Sequence, residues 1–162
     1  MRDVASVSRS MNRIALIGAI TLAAFAAAAQ PGQPTVEPPE IGEIMMFQQL
    51  RHGKLWFAAQ EANWALADYE IKELREGFES VSKFYPTFND IPLAQMIDAI
   101  RDTNFADLDK AVAARDKAKF AAAFDGLTQA CNACHQASNL GFISIRRPTV
   151  PPFSNQSFSP KK

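Results

Sequence analysis

The chain has 162 residues, a length that suits one domain with its own hydrophobic core. Its 17 basic and 17 acidic side chains cancel, and this balance argues against nucleic acid as a partner. The two cysteines, Cys131 and Cys134, are too close in sequence to form a disulfide framework, which excludes the class of small disulfide-stabilised domains.

Residues 1–29 have the pattern of an export signal peptide. Three arginines are followed by an apolar run of about 16 residues that ends in alanines 27–29. Met11 is an alternative first residue of the protein. The other interpretation, a membrane anchor, is disfavoured because a spanning helix needs about 20 residues and a Pro-rich lead-in, residues 30–39, follows at once. We expect cleavage after residue 29, a periplasmic protein and no membrane span in the mature chain. Three of the 17 basic and one of the 17 acidic side chains lie in residues 1–29, which leaves 14 and 16, a net charge of about −2.

From residue 40 to residue 139, apolar side chains repeat at three- and four-residue spacing, which predicts α-helices and no strand. The pattern divides into four segments. The first begins near Pro39 and ends near Ala62, and the second is capped by Asn63 and stopped by Pro86.

The third predicted segment begins through Pro92 and breaks at residues 102–104, so that it forms two pieces. The fourth is capped by Asp116 and ends near Asn139. Short connections between four amphipathic segments predict an all-α fold, an antiparallel four-helix bundle over residues 40–139. Residues 140–162 are rich in proline and predict an extended tail, either draped on the bundle or disordered.

The motif that carries chemistry is Cys131-Asn132-Ala133-Cys134-His135, a CxxCH sequence in the fourth segment. Positions i and i+3 share one face of a helix, so both sulfurs can reach the two vinyl groups on one porphyrin edge. His135 follows directly and can ligate the iron. The motif therefore predicts one covalent haem c, with Cys131 and Cys134 bonded to it and His135 as the proximal iron ligand.

Three other interpretations compete with haem attachment. A redox dithiol usually lies at the start of a helix that follows a strand, whereas this motif lies late in a helix. Structural zinc takes four ligands, and the only histidine besides His135 is His52, far upstream. A chance match is the third, but both cysteines of an apparently exported chain fall inside the motif, and haem is attached outside the cytoplasm.

An exported helical bundle with CNACH near the end of its fourth helix resembles the class II c-type cytochromes, the cytochrome c-prime group. The resemblance covers residues 40 to about 138 and implies a haem inside the bundle, between the first and last helices. It also implies homodimers through the first two helices in some members. The chain departs from the pattern because 27 residues follow His135 and because His52 lies in the first helix.

The resemblance also implies that the sixth iron ligand, where there is one, comes from early in the first helix. Met45 and His52 are the candidates; they share one stripe about 10 Å apart, so both cannot bind one iron in one state. Met46 points about 100° away from that stripe and is a weaker candidate. Core packing of Met45 and a hydrogen-bonded His52 are the alternatives without ligation.

Several other side chains have weaker predicted roles. Arg51 and Lys54, or the pair Arg146 and Arg147, are candidates to meet haem propionates, with solvent-exposed helix or tail charges as the simpler interpretation. Apolar packing against the haem or in the core is predicted for a further set: Trp56, Phe120, Phe124 and Leu127.

A single haem with no further catalytic constellation predicts an electron carrier that exchanges electrons with other envelope redox proteins, and not an enzyme. The first alternative is a five-coordinate haem protein that binds gases such as nitric oxide or carbon monoxide. The second is a structural or assembly domain without haem. Ligation by Met45 or His52 distinguishes the first two functions, because an iron that holds a second side chain in addition to His135 and the four haem nitrogens has no free position for a gas.

Overall fold

The structure of the protein is a computed structural model in which residues 37–161 are described. It contains five α-helices: α1 (Ile41–Gln60), α2 (Trp64–Phe84), α3 (Leu93–Ile100), α4 (Ala106–Ala113) and α5 (Lys117–Ala137). Residues 37–161 hold no strand beyond the isolated bridge between Phe88 and Ile91, so the prediction of an all-α fold is confirmed. The predicted signal peptide, residues 1–29, lies outside the described part of the chain.

Two helix starts follow directly from the capping residues in the sequence. The side-chain oxygen of Asn63 accepts a hydrogen bond from the backbone N–H of Leu66 at 3.2 Å. The Oδ1 atom of Asp116 accepts from the N–H groups of Ala118 and Lys119, both at 3.0 Å. Each cap satisfies donors that have no partner within the helix, so both predicted starts are confirmed.

The prediction that the third segment forms two pieces is confirmed by α3 and α4, but a π-helical turn takes the place of the expected break at residues 102–104. Residues Arg101–Phe105 make a π-helical turn that joins α3 to α4, so the chain stays helical through the polar stretch. The hydroxyl of Thr103 donates to the carbonyl of Ala99 at 2.6 Å. Short polar side chains compete with the backbone for its hydrogen bonds, which favours a widened turn here over a complete interruption.

The helices enclose one apolar core. Helix α1 packs against α2 and α5, α2 packs against α3 and α4, and α4 packs against α5. The largest fully buried apolar side chains come from all the long elements: Leu55, Ile71, Leu74, Phe105, Leu108, Phe120, Phe124 and Leu127. Among the described residues, no helix is both long enough and apolar enough to cross a bilayer.

A polar strip lies between α1 and α2. The Nε2 atom of Gln48 donates to the carbonyl of Leu74 at 2.7 Å. Arg51 bonds to Glu73 at 3.0 Å, and Lys54 forms an ion pair with the fully buried carboxylate of Glu70. Arg51 and Lys54 thus have protein partners, which corrects the expectation that they are available to meet haem propionates.

The tail follows the helices instead of leaving them. Phe158 is buried and its ring lies 5.7 Å from that of Phe57. The Nδ2 atom of Asn63 donates to the carbonyl of Phe158 at 3.0 Å. Of the two predicted alternatives for the tail, the draped one describes residues 140–161, although these residues contain no regular secondary structure.

Candidate functional site

A cavity of about 310 Å³ lies where the beginning of α1, the end of α5 and the start of the tail meet. Its wall is almost entirely apolar, and its volume is at the lower end of the range for small-molecule sites. The residues predicted from the CxxCH motif and from the first helix all line it: Met45, His52, Cys131, Cys134 and His135. Side chains that are up to 90 residues apart in sequence therefore surround one space.

The two thiols are placed by one turn of α5. Cys131 and Cys134 are both partly buried and pack against the core. Burial, helped by the nearby Cys134, raises the pKa of the Cys131 thiol to about 12, and burial also raises the pKa of Cys134. Reactive dithiols have lowered pKa values, so this environment disfavours the dithiol interpretation of the motif.

The orientation of His135 is set by the tail. Its Nδ1 atom lies 2.9 Å from the carbonyl oxygen of Ile143. A carbonyl can only accept, so Nδ1 carries a hydrogen and Nε2 is the ring nitrogen that remains for another partner. Metal-ligating histidines have this arrangement, with the other ring N–H donated to a carbonyl or carboxylate.

The second histidine has the opposite arrangement. The Nε2 atom of His52 lies 2.9 Å from the hydroxyl oxygen of Thr128, and that hydroxyl donates its single proton to the carbonyl of Phe124 at 2.8 Å. The hydroxyl therefore accepts from His52, and Nε2 carries the hydrogen. The ring packs on Phe124 with centroids 4.2 Å apart, and burial lowers the pKa of His52 to about 4, so the ring is neutral at pH 7.

The two methionines differ in how far they enter the site. Met45 is partly buried and packs against the core, whereas Met46 is 53% exposed at the rim of the cavity. Ile44, and not Met45, is the fully core-facing residue at this level of α1. The predicted stripe is therefore rotated slightly, which leaves Met45 on the cavity wall.

The predicted apolar packing residues and the arginine pair of the tail differ in their positions relative to the cavity. Leu127 lines it, while Trp56, Phe120 and Phe124 form an aromatic cluster in the core behind His52. Arg146 and Arg147 are exposed, as expected, but Arg147 also has partners: it bonds to Asp125, and its guanidinium lies 4.7 Å from the ring centre of Trp56. It lines, with Arg146, a second cavity of about 510 Å³ between α1 and the tail.

Three contributors to the site were missed by sequence reasoning. Thr128 had a signal, because it is polar beside the apolar stripe of α5 on the turn before Cys131. Asn132 lies inside the motif, and its side chain bonds to the backbone of Ile145. Ile143 acts through its carbonyl, which every residue carries, so no pattern in the sequence could have identified it.

In the described part of the chain, no three His, Cys, Asp or Glu side chains are grouped so that they could hold a metal ion by themselves. No protein-family profile, curated protein or solved structure matches the chain.

Proposed function

We propose that this chain is an exported, single-haem c-type cytochrome that carries electrons between redox proteins of the cell envelope. In this proposal Cys131 and Cys134 hold haem c covalently, His135 supplies the proximal iron ligand, and the mature chain is periplasmic and not an enzyme. The bound haem would supply an iron that takes up and releases one electron. The observation that carries the proposal is the hydrogen bond from His135 Nδ1 to Ile143, which leaves Nε2 as the ring nitrogen available to a metal in a side chain that lines an apolar cavity.

The chemistry of the donor set fits the group. Two thiols one helical turn apart and an imidazole with Nε2 available to a metal share the wall of one cavity. The remaining wall is mostly apolar, which suits the faces of a porphyrin and would keep water from the iron. These side chains would bind and orient the group and exclude solvent from it.

The proposed architecture is the antiparallel four-helix bundle of class II c-type cytochromes, with α3 and α4 counted as one segment. Contacts between α1 and α2 support it, because Arg51 meets Glu73 while the later residue Lys54 meets the earlier residue Glu70. Contacts between α1 and α5 also indicate antiparallel helices, because His52 contacts Thr128 while the later residue Trp56 contacts the earlier residues Phe124 and Phe120.

Met45 is the proposed sixth ligand in preference to His52. Ligation by His52 through Nε2 would break its bond to Thr128 and leave that buried hydroxyl without its donor. Met45 is on the cavity wall, and its thioether has no competing polar partner to lose. A thioether ligand would favour ferrous iron and raise the reduction potential.

Gas binding by a five-coordinate haem is the second candidate function. The observation that favours it is the engagement of His52 with Thr128, because the site is open if Met45 also stays away from the iron. The two candidates are separated by visible spectra of the haem-loaded protein, oxidised, reduced, and reduced with carbon monoxide. Sharp reduced bands that carbon monoxide leaves unchanged support electron transfer, whereas broad bands that shift support gas binding.

A further inference from the structure

The tail makes two hydrogen bonds with the side chain of Asn132, the second residue of the CNACH motif. The Oδ1 atom of Asn132 accepts from the N–H of Ile145 at 2.7 Å, and its Nδ2 atom donates to the carbonyl of the same residue at 2.9 Å. One side-chain amide thus satisfies both backbone groups of a single residue in a tail that has no ladder of its own. Few side chains can do this, because it needs one acceptor and one donor in a fixed plane.

The chain between α5 and Ile145 is short and turned back on itself. Asn139 has a positive φ of 60°, a conformation that asparagine tolerates at the end of a helix. The N–H of Leu140 then bonds to the carbonyl of His135, and that of Ile143 to the carbonyl of Leu140, both at 2.8 Å. With Ile145 held by Asn132, the carbonyl of Ile143 reaches the Nδ1 atom of His135.

We propose that Asn132 is a positioning residue that latches the tail so that the Ile143 carbonyl fixes the tautomer and orientation of His135. This inference rests on the proposed function for its consequence at the iron, and on the geometry of the chain alone for its first step. A histidine ligand whose Nδ1–H is donated to a carbonyl is more electron-rich at Nε2, which favours ferric iron. The latch therefore lowers the reduction potential and slows exchange of the Nδ1 proton with water.

The same latch completes the cavity wall. Leu140, Ile143 and Ile145 all line the cavity, so the segment that presents the carbonyl to His135 also presents apolar side chains to the site. Residues beyond Ile145 have separate anchors, namely Arg147 on Asp125 and the buried Phe158. Loss of the Asn132 contact is therefore expected to change the segment near His135 without releasing the whole tail.

The test replaces Asn132 while leaving the motif intact. Asn132→Asp keeps the acceptor but loses the donor, and it sets a carboxylate against the Ile145 carbonyl; Asn132→Ala removes both bonds. Ala133→Ser is the matched control, because Ala133 is exposed between the same two cysteines. Thermal melts followed by circular dichroism identify any variant that fails to fold, and the other Asn132 variant then carries the test.

Two readouts respond to the latch and not to stability alone. In nitrogen-15 spectra, His135 of the wild type and of Ala133→Ser should be the Nδ1–H tautomer with a slowly exchanging proton. In the Asn132 variants the exchange should be about tenfold faster, the factor expected for loss of one hydrogen bond. The reduction potential of the haem-loaded variants should rise above that of both the wild type and the control.

The outcomes separate this inference from the proposed function. If no haem is incorporated into the wild type, the proposed function fails. The tautomer and proton exchange of His135 in the haem-free chain then still show whether Asn132 positions His135. If both Asn132 variants fold with the wild-type tautomer, proton exchange and potential, Asn132 does not position His135 and the inference is overturned.

Discussion

The Nε2 atom of His52 lies 2.9 Å from the hydroxyl oxygen of Thr128, and this contact joins α1 to α5 beside the cavity. Both side chains are buried, and the hydroxyl donates a hydrogen bond to the carbonyl of Phe124. The pair therefore satisfies a polar ring on a helix face that is otherwise apolar.

Replacing Thr128 by valine tests how much this pair stabilises the fold. The change leaves the buried Nε2–H of His52 without an acceptor, so the free energy of unfolding should fall by about 1–3 kcal/mol. Denaturant titration measures the loss. Thr103→Val is the control, because Thr103 bonds to Ala99 on an exposed surface, and equal losses in the two variants would contradict the account.

The free energy of unfolding should also depend on pH below 6.5, because of His52. Burial lowers its pKa from 6.5 to about 4, so between these values the unfolded chain binds a proton that the folded chain does not. Stability from this group is complete above pH 6.5 and is lost as the pH falls toward 4, by up to about 3 kcal/mol. Unfolding titrations of the wild type and of His52→Gln check this. The difference between the two should shrink steadily on acidification, and a constant difference would count against a buried neutral His52.

The sixth ligand is tested by changing each candidate in turn. Met45→Leu should convert the haem-loaded protein to a form whose reduced spectrum shifts with carbon monoxide, because the position on the iron becomes free. His52→Gln and the rim control Met46→Leu should leave the spectrum unresponsive. A wild type that already responds to carbon monoxide, or an opening caused by His52→Gln alone, would remove Met45 from this role.

The buried ion pair between Lys54 and Glu70 joins α1 to α2 and is tested by removing first one charge and then both. Lys54→Met leaves the Glu70 carboxylate buried without a partner, and burial already raises its pKa, so unfolding should become easier by about 3 kcal/mol. The double variant Lys54→Met/Glu70→Leu should recover most of that loss, because no charge is then buried. A double-mutant cycle by denaturant titration measures both effects, and additive losses would refute the coupling.

The local features of this fold were accessible from the sequence, whereas several long-range contacts were not. Asn63 and Asp116 cap helices through atoms two or three residues away, so the sequence alone identifies them. The two pieces of the third segment were predicted, but the π-helical turn between them was not, because a π-helical turn and a break have the same polar signature. For the site, the motif identified Cys131, Cys134 and His135 as a unit, but not the partners of His135.

The tail shows the limit most clearly. Its prolines and lack of periodicity predict the absence of helices, but they do not indicate which surface it covers. Its anchors join residues far apart in the chain: Arg147 with Asp125, Asn63 with Phe158, and Asn132 with Ile145. Such pairs depend on the packed fold, so a side chain like that of Asn132 is indistinguishable in the sequence from a solvated one.

Covalent haem attachment is the central claim, and the intact mass of the exported protein under denaturing conditions tests it most directly. The protein is produced in a host with c-type haem maturation and compared with Cys131→Ser/Cys134→Ser. We expect the wild type to carry the added mass of one haem that survives denaturation, and the double variant to lack it. A wild-type mass equal to that of the polypeptide alone would contradict the account.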